Sequence, residues 1–396
     1  MGLFRRKQAA PSASSDVGEK PPTRFQKDVA NLKQQRLKSK ELILNPTTTI
    51  ITLFVIGLLF APIGAVYVWG SGLVTEITID YTDCDQLSAA SDQTSAASQL
   101  TTVPNYKYRL RTGSSSASYS APQYALINNP SGSVGQTSQC LLRFDIPYDL
   151  DASVFLYYQI SNFLQNHRRY VQSRDNDQLL GKHRTRSNLD GSQCDALYQA
   201  NNKVIYPCGL IANSQFNDSY GLTLASASGG SAYTLTDKGI SWPKESNKYV
   251  AQPNYNVDEI TPPPNWALRY PNGYANASDI PNLAADEHFQ VWMRNSGTPT
   301  FSKLYARNDD DTLRAGTYDL IINLNYPVRE WSGKKSIVLT TVAWIGGKNA
   351  FLGWSYVAAS AFIVLLACIA AIRNFIRPLR PMTSPRDIAM LEHHQM

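Results

Sequence analysis

Residues 42–75 read LILNPTTTIITLFVIGLLFAPIGAVYVWGSGLVT and contain no Asp, Glu, Lys or Arg. A second uncharged stretch, AFLGWSYVAASAFIVLLACIAAI, fills residues 350–372. Each holds about 20 mainly apolar residues, enough, at about 1.5 Å per residue, for a helix to cross a hydrocarbon layer of roughly 30 Å. Whole-chain averages hide this. Of 396 residues 43% are hydrophobic and the mean hydropathy is −0.28, values that suit a soluble protein. The bunching of the apolar residues excludes a single soluble domain, and two spans are too few for a transporter that builds its own path. Transmembrane helices are predicted over 49–71 and 350–372.

The first run lies behind a long polar lead and ends in Tyr67-Val68-Trp69-Gly70, an aromatic interface belt. A cleaved secretory signal would start nearer the N-terminus and end in a small-residue cleavage site. The run therefore reads as an uncleaved signal-anchor.

Net charge, divided by segment, sets the orientation. Residues 1–48 carry ten Lys/Arg and four Asp/Glu, and residues 373–396 carry four and two. The 23 basic and 25 acidic residues of the loop leave it at −2, while the two tails total +8. Positive flanks stay cytosolic, so both tails (1–48 and 373–396) are expected in the cytosol and residues 72–349 outside or in a lumen. The basic excess is thus a topology signal, and nucleic acid is not an expected partner.

Four of the five cysteines, Cys84, Cys140, Cys194 and Cys208, fall in the loop, and Cys368 falls in the second span. An even number in an oxidising compartment suggests two disulfides, and no CxxC spacing supports zinc instead. The sequons Asn217-Asp218-Ser219 and Asn276-Ala277-Ser278 place two candidate N-glycans on the same loop.

The loop reads as mostly β. Thr75–Tyr81, Phe289–Arg294 and Tyr318–Leu324 alternate as half-buried strands do, while Val154–Ile160 and Ser336–Val342 suit central strands. Pro262-Pro263-Pro264, Pro271-Asn272-Gly273 and Pro281 break the chain into turns. The expected fold is two transmembrane α-helices flanking a large β-rich ectodomain, an antiparallel sandwich with long loops and a few helical segments. Residues 86–139, rich in Ser, Ala, Thr and Gln, read as a low-complexity, partly mobile insertion. Before the first span, Phe25, Val29, Leu32 and Arg36 at helical spacing among Lys27, Lys33, Lys38 and Lys40 suit either a basic interfacial helix or a loose juxtamembrane segment.

Within the spans, Gly57, Ala61 and Ala65 recur at four-residue intervals, and Ser355 and Ala359 repeat the theme. Small residues let helix backbones approach in lipid, where no hydrophobic force pairs them. A search for chemistry finds little. His167-Arg168-Arg169 suits an anionic contact or a structural polar segment. Asp309-Asp310-Asp311 lacks the spacing and Gly of a calcium loop, and Gly346-Gly347-Lys348-Asn349 lacks most of a phosphate loop, so Lys348 reads as a headgroup anchor. No GxSxG or HExxH occurs, and no cofactor is called for. An accessory subunit is the natural class; a two-span ligand-gated channel subunit and a membrane-anchored lumenal enzyme are the alternatives.

Several segments then converge on one family. They are Lys33–Leu37 (KQQRL), Asn162–Ser173 (NFLQNHRRYVQS), Ile205–Ser214 (IYPCGLIANS) with Phe216-Asn217-Asp218, Pro262–Trp266 (PPPNW), Phe289–Arg294 (FQVWMR), Leu324–Val328 (LNYPV), Val338–Thr341 (VLTT) and Gly346–Asn349. In this order they resemble the cell-division-control protein 50 / ligand-effect modulator family, the accessory β-subunits of type-IV P-type ATPase lipid flippases. The likeness runs from about residue 25 to 376; the 86–139 insertion, Lys38-Ser39-Lys40-Glu41 and both tails depart from it.

The resemblance implies a non-catalytic partner of the pump, needed for its folding, its exit from the endoplasmic reticulum and phospholipid translocation to the cytosolic leaflet. It implies the endoplasmic reticulum, Golgi/endosome and plasma membrane as locations, and membrane lipids and the ATPase as partners. It also suggests pairing Cys84–Cys140 and Cys194–Cys208, one of three possible connectivities. Gly57, Ala61, Ala65, Ser355 and Ala359 are the candidate helix-packing contacts with the pump, and His167, Arg168 and Arg169 the candidate contacts with pump or headgroups.

Overall fold

The computed structural model describes residues 29, 31–34 and 45–378. Most of the basic 25–42 segment and the remainder of both tails lie outside the described residues. Two helices, Pro46–Gly72 and Phe351–Ile376, are long and apolar enough to cross a membrane. Two hydroxyls in the first turns of the first helix bond one turn back: Thr49 Oγ1 donates to the Asn45 carbonyl at 3.0 Å and Thr52 Oγ1 to Thr48 at 2.8 Å. Two such spans put the two ends of the chain on the same side of the membrane.

Contacts divide the chain into two units. One holds the ends of the spans nearest the termini, up to Gly57 and from Phe362; the other is Leu58–Ala361. In the second unit the spans lead into neighbouring central strands. Glu76–Asp80 follows the first span and Lys334–Thr341 precedes the second, and the two pair antiparallel with Glu76 opposite Thr340.

These strands sit in a five-stranded antiparallel sheet ordered Phe301–Asn308, Val154–Ser161, Lys334–Thr341, Glu76–Asp80, Tyr106–Arg109. A second sheet is built on Gly316–Asn323, Ser138–Ile146 and Gln123–Asn128, also antiparallel, with short strands at both edges. Period-2 burial decides the faces. Ile77 and Ile79 of the first sheet and Leu142, Phe144 and Ile146 of the second point into one shared core, so the domain is a β-sandwich. Cys84, in the turn after Glu76–Asp80, is bonded to Cys140 on the second sheet and ties the two layers together.

Two expectations need correction. Residues 86–139 are not an appendage: Tyr106–Arg109 is the edge strand of one sheet, and Gln123–Asn128 lies beside Ser138–Ile146 in the other. The alanines that suggested low complexity line a thin second core. Ala90, Ala96 and Ala125 pack with Ile127 and Leu141, covered by the helix Gln93–Ser98 whose N-terminus Asp92 caps. The segment Phe289–Arg294 is a helix, Glu287–Trp292, and not a strand. Asp286 caps it through the Phe289 amide at 2.9 Å, and Phe289, Gln290, Val291, Trp292 and Met293 are all buried. With both sides buried, the apparent alternation carried no information about period.

Candidate functional site

The sequence motifs meet around the short helix Leu210–Asn213. Gly209 opens it at φ +99°, and a Cβ there would lie 2.1 Å from the Ser173 carbonyl oxygen, so only glycine fits. The indole of Trp266 donates to the Ala212 carbonyl at 2.9 Å and that of Trp292 to Ile211 at 2.7 Å. Ser173 Oγ accepts from the Leu210 amide, and Tyr326 donates its hydroxyl to the Ser214 carbonyl. Carbonyls at this helix end thereby accept from side chains of three distant motifs. The Cys194–Cys208 bond fastens the entry to this helix.

Beside it lies a buried ion pair. Lys335 Nζ is 2.7 Å from Asp218 Oδ2, with side-chain exposures of 7% and 0%. The carboxylate is saturated: Oδ1 accepts from the Asn325 and Tyr326 amides, both at 2.6 Å, and Oδ2 also accepts from Tyr81. The ammonium donates a further bond to the Tyr326 carbonyl at 3.0 Å. Burial, reinforced by Asp218, pushes the Tyr81 and Tyr220 hydroxyls well above the usual phenol range, which keeps them donors. Sequence reading missed this pair. The signal available was a Lys within a strand of otherwise buried residues and an Asp between Asn217 and Ser219.

On the membrane side, Lys348 is not a free headgroup anchor. Its Nζ donates to the carbonyls of Val74 at 2.7 Å and Leu110 at 3.0 Å, joining the exits of both spans to the edge strand. The spans themselves meet through glycine: a Cβ on Gly64 would lie 2.9 Å from the Gly353 oxygen and one on Gly353 3.1 Å from the Gly64 oxygen. Tyr356 stacks on Tyr67 and meets Phe60 edge-on. Of the candidate packing residues, Gly57 is buried, Ala61 and Ala65 are exposed, and Ser355 and Ala359 are half-buried.

The remaining candidates are dispersed. His167 precedes the helix Arg168–Gln172, and His167, Arg168 and Arg169 are all exposed. Asn276 is exposed at a helical-turn N-cap. Asn217 lines a cavity of about 490 Å³, its Oδ1 buried without a partner. Asp309 pairs with Arg307 at 2.6 Å, and the Asn308 side chain accepts from the Asp310 and Asp311 amides, which makes that acidic run a solvated turn. Among the described residues no three His, Cys, Asp or Glu side chains converge as a metal site.

Comparison with known proteins agrees with the geometry. The model of the LEM3 (ligand-effect modulator 3) family / CDC50 family matches residues 67–380, from the end of the first span next to the β-domain past the end of the second. The phospholipid-transporting ATPase accessory subunit CRF1 of Saccharomyces cerevisiae is 37% identical over 386 residues, covering 96% of this chain and 93% of the relative. The accessory subunit CDC50 of Chaetomium thermophilum is 32% identical, with 96% and 95% coverage. Cell cycle control protein 50A of Bos taurus is 35% identical, with 88% of each chain covered. The motifs that build the Leu210–Asn213 hub and the Asp218–Lys335 pair lie inside the matched span, and the chain belongs to the LEM3/CDC50 family.

Proposed function

We propose that this chain is the non-catalytic accessory subunit of a type-IV P-type phospholipid-transporting ATPase. The observation that carries the reading is the near full-length match to relatives named as phospholipid-transporting ATPase accessory subunits. The fold suits the role. The motif residues are spent on internal hydrogen bonds that make a rigid domain, and the two spans hold each other through Gly64 and Gly353. The ATPase would supply ATP hydrolysis and the lipid path; this chain would supply a rigid cover and two packing helices.

The exposed Ala61 and Ala65, with Ser355 and Ala359, present small side chains to the pump's membrane helices, while Gly57 is turned inward. His167, Arg168 and Arg169, exposed together, offer cations to acidic groups of the pump or to headgroups. Both tails would be cytosolic, Asn217 and Asn276 would carry N-glycans on the exported domain, and the complex would leave the endoplasmic reticulum for the Golgi, endosomes or plasma membrane.

The test is affinity purification of the full chain from its own cells in mild detergent. The expected result is an equimolar membrane ATPase, identified by mass spectrometry, that forms an aspartyl-phosphate with ATP. Recovery of the chain alone, or as a homo-oligomer with no ATPase, overturns the reading.

A further inference from the structure

One cavity is left unexplained by the hub, the ion pair and the spans. It has a volume of about 840 Å³ and lies over the edge strand Phe301–Asn308. Three cations, Arg294, Lys303 and Arg307, line it, and no Asp or Glu does. Each cation is balanced by an aromatic ring: Arg294 lies 4.4 Å from the centroid of Trp242, Lys303 5.1 Å from Trp292 and Arg307 4.9 Å from Phe155.

Two of the three nearby acids are engaged elsewhere, and the third, Asp309, offsets the charge of Arg307. Glu287 accepts from the Gly239, Ile240 and Ser241 amides, Glu245 pairs with Lys248 at 2.8 Å, and Asp309 pairs with Arg307. Lys303 spends its three donors on the carbonyls of Val291, Trp292 and Arg294. Arg294, half-buried, has no hydrogen-bond acceptor and no ion-pair partner among the described residues.

A second observation points the same way. Ten buried side-chain nitrogen or oxygen atoms lack a partner among the described residues, and four of them belong to the wall of this cavity: Ser241 Oγ, Arg294 Nε, Asn295 Oδ1 and Arg307 Nε. Buried polar atoms are nearly always satisfied, so the three of these that can donate, Ser241 Oγ, Arg294 Nε and Arg307 Nε, mark a place where an acceptor completes the set, whereas Asn295 Oδ1 is itself an acceptor. A half-buried guanidinium without a paired counter-charge has the same meaning, because its planar fork matches an oxyanion in two parallel hydrogen bonds.

We propose that this cavity binds a phosphate-class oxyanion, held by the Arg294 fork, with the Arg307 guanidinium, already paired with Asp309, on the same wall. The exposed ring of Trp242 holds the fork in place and covers one side of the ligand. The two sources of such a group are free phosphate and a phosphodiester headgroup; both present the same oxygens to Arg294.

The experiment uses the full chain in detergent, with or without its ATPase, at constant ionic strength against a chloride background. Inorganic phosphate, glycerophosphoserine and glutarate are titrated while thermal unfolding and Trp fluorescence are followed. Phosphate, glycerophosphoserine or both are expected to shift the midpoint saturably, and whichever binds more tightly identifies the source. Arg294→Gln is expected to weaken binding at least tenfold, with Arg314→Gln, at an exposed pair with Asp149, unchanged. If Arg294→Gln does not fold, Arg294→Lys carries the same expectation, since it keeps the charge without the fork, and Trp242→Ala, at a position 66% exposed, should also weaken binding. A response to glutarate alone overturns the phosphate assignment and points to an acidic side chain of a partner. No saturable shift, or equal shifts in wild type and the Arg294 variants, overturns the site.

Discussion

Gly64 and Gly353 mark the closest approach of the two membrane helices: neither position has room for a methyl group before it meets the backbone of the other. A Cβ on Gly64 would also stand 2.8 Å from Val357 Cγ2, and one on Gly353 2.7 Å from the Val68 nitrogen. The contact is backbone to backbone, the only kind that brings helices this close in a medium without hydrophobic force.

Gly64→Leu should therefore separate the spans and lower the stability of the detergent-solubilised chain by about 2 kcal/mol. Ala65→Leu, one residue away on the exposed side, should leave that stability within about 0.5 kcal/mol yet reduce recovery of the ATPase. Thermal midpoints of the two variants beside pull-down yields make the comparison; equal effects of both on the isolated chain would count against the two-face picture.

Removing one partner of the Asp218–Lys335 pair strands a buried charge. Asp218→Asn or Lys335→Met should each cost about 3–5 kcal/mol, whereas the two together should cost less than their sum. Asp218→Asn keeps the Asn217 sequon, so glycan occupancy and folding can be read in the same sample. A double-mutant cycle on denaturant midpoints measures the coupling.

Gly209→Ala places a methyl 2.1 Å from the Ser173 carbonyl at a positive φ. At Gly239, also at positive φ (+72°), a methyl would have nothing within 4 Å of it. The first substitution should abolish folding at physiological temperature. The second should cost only the left-handed backbone strain, roughly 1–2 kcal/mol. Protease resistance of the two variants separates them.

Cys194 and Cys208 close a loop with a sequence separation of 14. In the chain-entropy account a loop of that size contributes about 3 kcal/mol, so Cys194→Ser should lower the midpoint and the yield of assembled complex. Non-reducing peptide mapping with thermal melts checks this; an unchanged melt would mean that the bond does not stabilise the fold.

Burial, and then the adjacent Arg294, pull the Lys303 ammonium from its usual value down to about 7. Because the folded value is depressed, the unfolded chain binds the extra proton between about pH 7 and the ordinary lysine range. Stability associated with Lys303 is thus fully present above that range and is lost as pH falls through about 7. Wild type should gain on Lys303→Met between pH 7 and pH 9, by on the order of 1 kcal/mol per pH unit. Chemical denaturation of both proteins at pH 6, 7, 8 and 9 reads the slope, and a flat difference would contradict it.

Much of the architecture was legible in residues close together in the chain. The central strands Val154–Ser161 and Lys334–Thr341 stand where β-branched and apolar runs put them. The helix Glu287–Trp292 was misread because burial on every side erased its period. The 86–139 stretch was misread because alanine and serine supply little apolar area, yet suffice when a short helix lies flat on a sheet.

What the sequence determined by itself is the division into two membrane helices and a β-rich domain, because lipid thickness and the cost of charge in hydrocarbon act on composition alone. The tertiary structure alone decided which polar groups are buried together. Asp218 and Lys335 are 117 residues apart in the chain and 2.7 Å apart in space, and Arg294, Arg307 and Trp242 are brought to one cavity from separate segments. Such meetings depend on sheet register and loop closure, long-range terms that no local pattern of residues encodes.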